Sequence, residues 1–316
     1  MKPARLILVL ALALPSLLSA QTTFQYSGNP LVRHIYTADP TARVFGGRLY
    51  VYTSHDEPNA RRFTMKDWRV FSTDDMKEWT DHGKLFGLDD IAWASKDAWA
   101  PDCVKRGNKY YFYYPVERTK IGVAVSSKPT SGFKDSGKPL IDNAGDVERV
   151  GREPIDPSVI VEKGRAYIFF GCRDFRWARL GNDMVSVKGE IKKVELIGNE
   201  GDKEGFGGHY AEAPFIFKRG KIFYMLYSNG WGKTSTLVYA TSKSVTGPFV
   251  YKGEIIKHVG CSTSHGSIVE FKGKSYLFYH TRDLSKHNYK RSVCFDEISF
   301  DKDGNIIPAV KTTSIR

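Results

Sequence analysis

Short runs of aromatic and aliphatic residues rise out of glycine turns five times along the chain: Gly47 to Ser54, Gly107 to Tyr114, Gly164 to Gly171, Gly220 to Ser228 and Gly273 to His280. The fourth phrase is the clearest. Phe215, Ile216 and Phe217 read as a short buried strand, Lys218 to Lys221 as a tight turn, and Ile222 to Ser228 as the returning strand. Third strands follow at Arg69–Thr73, Gly122–Ser127 and Leu237–Ser242, and the irregular third repeat places its own at Met184–Val187. The turn glycines stand 53 to 60 residues apart with no helical pattern between them. Several short strands per unit at that period predict an all-β fold, a five-bladed β-propeller. Phe24 to Leu31 is expected to supply an opening strand that closes the ring beside the last blade.

Eight residues before each turn glycine stand Asp39, Trp99, Asp156, Glu212 and His265, where generic core would carry an aliphatic side chain. Equivalent positions at the starts of innermost strands are related by rotation about the channel, so these five side chains are expected to converge. Two insertions stand near them. Lys84 to Ala98 carries Trp93, and the polar, glycine-rich Gly198 to Gly208 leads into Glu212 and is placed to wall the site.

Composition changes this picture only at the margins. Lys2 and Arg5, the apolar run Leu6–Leu18 and the small residues before Gln21 read as a signal peptide over residues 1–20. The run is shorter than the ~20 apolar residues a membrane span needs. Residues 21–316 are then one propeller domain, expected to be secreted or periplasmic, with no membrane contact after cleavage, and to act as a monomer. The net charge of +12 falls to +10 without the leader, and its Lys and Arg are scattered through turns, which argues against a nucleic-acid groove and leaves attraction to acidic polysaccharide as a minor theme. Cys103, Cys172, Cys261 and Cys294 permit one or two disulfides in an exported chain, with Cys261–Cys294 the first pair to test; free buried cysteines fit equally well.

The phrases Thr-Ala-Asp39-Pro, Trp99-Ala-Pro-Asp, Ile-Asp156-Pro-Ser, Ala-Glu212-Ala-Pro and Ser-His265-Gly-Ser, in register with the repeat, resemble glycoside hydrolase family 43 over essentially the whole mature chain. The resemblance implies a five-bladed propeller that cleaves glycosidic bonds, mostly of arabinofuranosides and xylosides in plant cell-wall glycans, with inversion at the anomeric carbon. It implies a carbohydrate partner, no organic cofactor, and a channel calcium near His265, held largely by water. It also gives Asp156 a supporting role and matches Arg291 to an arginine that reaches sugar hydroxyls.

Residue chemistry points the same way. Inverting hydrolysis needs a protonated carboxyl for the leaving oxygen and an ionised one to activate water, ~6.5–9.5 Å apart. Glu212, flanked by Ala211, Ala213 and Pro214, suits the acid; Asp39 is then the base, and Asp156 keeps the acid's pKa high. An Asp before Pro is ordinarily a turn former, but three acids at one offset in separate repeats are not. Trp99 offers a face for a sugar ring, or plain core; His265 offers a substrate or metal contact, or a neutral hydrogen bond. Asp102 and Glu153 lie off the register, and the pair His55–Asp56 ends a second strand, near the mouth but one strand outward; all are left out of the catalytic set. Two functions follow: an inverting glycosidase, α-L-arabinofuranosidase ahead of β-xylosidase, or a propeller that binds glycan without cleaving it.

Overall fold

The computed structural model describes residues 21–198 and 210–315. The leader read over residues 1–20 and nearly all of the Gly198–Gly208 loop lie outside them. Five sheets, antiparallel but for one short pairing, follow one another around a channel. The first holds β1 (Thr22–Gln25), β2 (Thr37–Phe45), β3 (Arg48–Asp56), β4 (Met65–Thr73) and β5 (Glu78–Gly87) in the order β1-β5-β4-β3-β2. The second holds β6 (Asp102–Arg106), β7 (Lys109–Val116), β8 (Lys120–Ser126) and the short β9 (Lys134–Asp135) and β10 (Ile141–Asp142). The third is β11 (Ser158–Glu162), β12 (Arg165–Phe170), β13 (Arg176–Leu180) and β14 (Val187–Lys193). The fourth adds a parallel β15 (Leu196–Ile197) to β16 (Tyr210–Arg219), β17 (Ile222–Asn229), β18 (Thr236–Ser242) and β19 (Phe249–Ile256). The fifth is β20 (Gly266–Phe271), β21 (Lys274–Thr281), β22 (Ser292–Phe300) and β23 (Ile306–Ile307). Among the described residues the α-helix is a single turn, α1 (Val147–Val150), so the five-bladed propeller stands.

The second strand of each blade is buried on both faces along most of its length, which is why it reads as an unbroken apolar run. Along β7, Phe112 and Tyr114 turn toward the first blade with Tyr52 and Trp68, while Tyr113 between them turns toward Ile168 and Phe170 of the third. The same alternation fills a hydrophobic wedge at each of the five junctions between neighbouring blades. The hairpins that start the blades use two turn chemistries. In blades one, three and five both turn residues have positive φ, as in Lys163 (49°) and Gly164 (76°). In blades two and four only the first does, Gly107 and Gly220, both at 59°. These match the two mirror-image turns that suit the twist of a hairpin.

Two expectations fail. The opening strand does not close the ring: β1 pairs with β5 at the outer edge of its own blade. The ends meet through side chains and isolated bonds instead. Asn29 bridges Phe295 N–H and C=O at 3.0 and 2.7 Å, and Leu31 N–H donates to Val293 C=O at 2.7 Å. The third strand of blade three is β13, not Met184–Val187. Arg176 and Arg179 disguised it as a loop, whereas Met184, fully buried at φ 65°, sits in the following turn and its carbonyl accepts from the Tyr113 hydroxyl at 2.8 Å. All four cysteines are free and buried.

Candidate active site

Asp39, Asp156 and Ala213 share one backbone device at the channel mouth: each precedes a proline and takes a left-handed φ, 52°, 55° and 62°. Each stands seven residues before its hairpin turn begins, and the same count reaches Ala100, before Pro101, and His265 in the other blades. Glu212 and Trp99 therefore lie one residue upstream of the true repeat position. Counting from glycine hid this, because glycine is the first turn residue in blades two and four and the second elsewhere. A bulge interrupts the β16 register on both sides of Glu212, and its side chain still turns inward. Asp39, Trp99, Asp156, Glu212, His265 and Arg291 all line one cavity of about 570 Å³.

Asp39 is locked as an anion. The Arg291 guanidinium reaches its two oxygens at 2.8 and 3.2 Å, Ser54 Oγ donates at 2.6 Å, and the Asp39 N–H donates to His280 Nδ1 at 3.1 Å. Burial works to raise its pKa, but Arg291, the two imidazoles and the Ser54 bond outweigh it and hold the carboxyl at about 2. Arg291 is itself fixed by Asp56, which accepts from its backbone N–H at 2.8 Å, Nε at 3.0 Å and Nη2 at 2.9 Å. Sequence reasoning set Asp56 aside and saw neither His280 nor Ser54. Their partners lie 15 to 241 residues away, and no local spacing announces them.

Glu212 is the opposite case. Burial pushes its carboxyl up to about 7 against a hydrogen bond from the Trp231 side chain, with the Asp39 charge adding to the rise. Cys172 Sγ stands 3.8 Å from Glu212 Oε2. Asp156 is raised well above the ordinary range by burial and then by the charges of Glu212 and Asp39, although its Oδ2 accepts from the Ala213 N–H at 3.0 Å. Two buried carboxyls that oppose each other's ionisation titrate as a pair and retain at least one proton near neutrality.

His265 is kept neutral, its pKa lowered to about 4 chiefly by burial, with Nδ1 4.0 Å from Asp39 Oδ1. It offers a calcium one nitrogen, whereas that ion takes six to eight oxygens. Among the described residues no group of three His, Cys, Asp or Glu ligand atoms gathers around it; the cluster with that spacing is His55, Glu57 and Asp67, whose acids already pair with Lys66 and Arg69. The residues present do not make a protein-held calcium site. Trp99 is partly exposed on the cavity wall, with the Arg118 guanidinium 5.8 Å from its ring. Glu153 also lines the cavity, paired with Arg118 at 2.6 Å, while Asp102 is buried away from it, ion-paired to Arg43 at 2.6 Å.

The sequence model of the glycosyl hydrolases family 43 matches residues 27–306. The chain belongs to that family. It is 36% identical to xylosidase/arabinosidase 43A of Humicola insolens, over 88% of this chain and 98% of that protein. It is 34% identical to a xylosidase/arabinosidase of Bacteroides ovatus, over 88% and 96%. Among solved structures, a family 43 β-xylosidase/α-arabinofuranosidase from a compost metagenome, crystallised with xylotriose in a calcium-free form, superposes with a TM-score of 0.79 at 33% identity, over 91% of this chain and 98% of that one. The family 43 chain is thus a glycoside hydrolase on a five-bladed propeller.

Proposed function

We propose that this family 43 enzyme releases pentose from plant cell-wall glycans by inverting hydrolysis, with Glu212 as general acid, Asp39 as general base and Asp156 as the group that tunes and orients the acid. The observation that carries the reading is the opposite protonation of two carboxyls in one cavity: Asp39 ionised from about pH 2 upward, Glu212 holding its proton to about 7. Water beside Asp39 loses a proton to it as the oxygen attacks the anomeric carbon, and Glu212 delivers its proton to the departing glycosidic oxygen. Arg291 and His265 face the sugar hydroxyls at the closed end, and Trp99 offers its ring to the sugar from the wall.

α-L-Arabinofuranose is the first substrate of this reading. β-D-Xylose is the second, favoured by relatives whose names carry both activities. Calcium enters only as a water-held ion beside His265, and no step depends on it; chelation is expected to leave activity and melting temperature unchanged. The test uses aryl arabinofuranoside, aryl xyloside and a natural disaccharide. Glu212→Ala should keep far more activity on the aryl glycosides, whose leaving groups scarcely need protonation, than on the disaccharide. Asp39→Ala should fail on all three and recover partly with azide. If both variants stay within about tenfold of wild type on the disaccharide, acid and base roles worth 10²–10⁴ do not belong to these residues.

A further inference from the structure

A second concave site lies on the rim of blade three. On β13 the pattern alternates, Ala178 and Leu180 packing into the wedge toward blade two while Trp177 and Arg179 take the opposite face, half-buried. Arg179 stands directly across from Tyr167 on one side and from Lys188 on the other; Lys192 stands across from Trp177. With Arg165, which shares the Tyr167 face, and Thr246 of blade four, these residues line a cleft of about 510 Å³ that has no residue in common with the catalytic cavity.

The cleft is electrostatically incomplete. Among the described residues Arg165, Arg179 and Lys188 have no carboxylate partner, and the acid of the cleft, Glu190, reaches only Lys192, at 3.9 Å. Arg179 and Lys188 oppose each other across neighbouring strands, where like charges destabilise a sheet. Arg179 Nε is buried without an acceptor. The rings of Tyr167 and Trp177, 6.1 Å apart, stand beside these cations. A ligand that answers both features has an apolar ring face to lie on the aromatics and an anionic oxygen pair for a guanidinium fork.

We propose that this cleft binds a hexuronate residue of an acidic polysaccharide, its ring against Trp177 and Tyr167 and its carboxylate on Arg179 and Lys188. It anchors the polymer on the side of the propeller, apart from the cavity that cleaves it. The experiment is affinity electrophoresis of the full chain in gels carrying glucuronic-acid-substituted xylan, the same xylan with its carboxyls reduced to alcohols, and duplex DNA, with Arg179→Gln, Lys188→Gln and the double variant beside wild type. Wild type should be retarded by the acidic xylan at least about tenfold more strongly than by the reduced polymer, and the double variant should lose about tenfold in affinity. Aryl-glycoside turnover should be unchanged in every variant, which separates this site from the catalytic one. Equal retardation by acidic and reduced xylan overturns the proposal, as do variants that bind like wild type. Equal retardation by DNA, lost in the same variants, reduces the cleft to an unselective cation patch and overturns it too.

Discussion

Arg291 divides one guanidinium between two aspartates, and each aspartate does something different with it. Asp39 takes charge stabilisation, and Asp56 takes the orientation: three bonds from one residue leave the arginine a single pose. Asp56→Asn keeps the shape and removes the anion. Arg291 then has Asp39 as its sole counter-charge and draws that carboxylate away from water. We expect kcat to fall by ten- to a hundredfold, or about 1.4–2.8 kcal/mol, in a variant whose circular dichroism is unchanged. If Glu212 and Asp39 are the acid and base proposed above, they also set the pH profile: kcat/KM should hold from the acid side up to about pH 7 and then drop as Glu212 ionises. Stability follows the same group. Its folded pKa is raised from 4.5, so its contribution is complete below 4.5 and is lost as pH climbs through about 7. Glu212→Gln does not titrate and should gain on wild type between pH 5 and 8, read from melting temperatures at the two pH values. Asp39 and Asp156 were legible in the sequence because Asp-Pro recurs in step with the hairpins. Glu212 was legible through a glycine count one residue out of step. Asp56 was not, since its partner is 235 residues away and only closure of the ring brings them together.

Between neighbouring inner strands the second residue past the repeat position acts as a staple in four of the five blades. Thr41 Oγ1 donates to Pro101 C=O at 2.8 Å, Asp102 accepts from Val159 N–H at 2.6 Å, and Ser158 Oγ accepts from Ile216 N–H at 3.0 Å. Ser267 both accepts from Ala42 N–H at 2.9 Å and donates to Pro40 C=O at 2.8 Å. Phe215 occupies the equivalent place in blade four. Ser267→Ala leaves two buried backbone groups without partners and should cost about 2–4 kcal/mol, against about 1–3 for Ser158→Ala, which leaves one; urea unfolding of the pair checks the order. At this scale the sequence was a good guide wherever a strand was aromatic and a poor one where charge masked it. The half-buried face of β13 carries Trp177 and Arg179, and a strand whose alternate positions reach solvent at the rim does not look like core. Asp102, set aside as off the register, proves to be the staple between blades two and three.

Across the whole molecule the five wedges are alike in their packing, but the five junctions are not alike in their connections. Four are crossed by the chain itself. The fifth, between the last blade and the first, has no continuous strand and no shared sheet, and is held by Asn29, Ser267 and the Arg291 cluster. Arg291 and Asp39 thus stand on opposite banks of the only junction at which the two ends of the propeller meet. On the proposed assignment the proton acceptor sits on a clasp. Amide exchange should reveal the mechanical side of this: strands β2 and β20 to β22 should share one partial opening below the free energy of global unfolding, and a pentose bound across Asp39 and Arg291 should slow it. Occupancy of the active site and integrity of the ring would then be read from the same set of protons, so that a substrate on the enzyme is also a bolt through the ring.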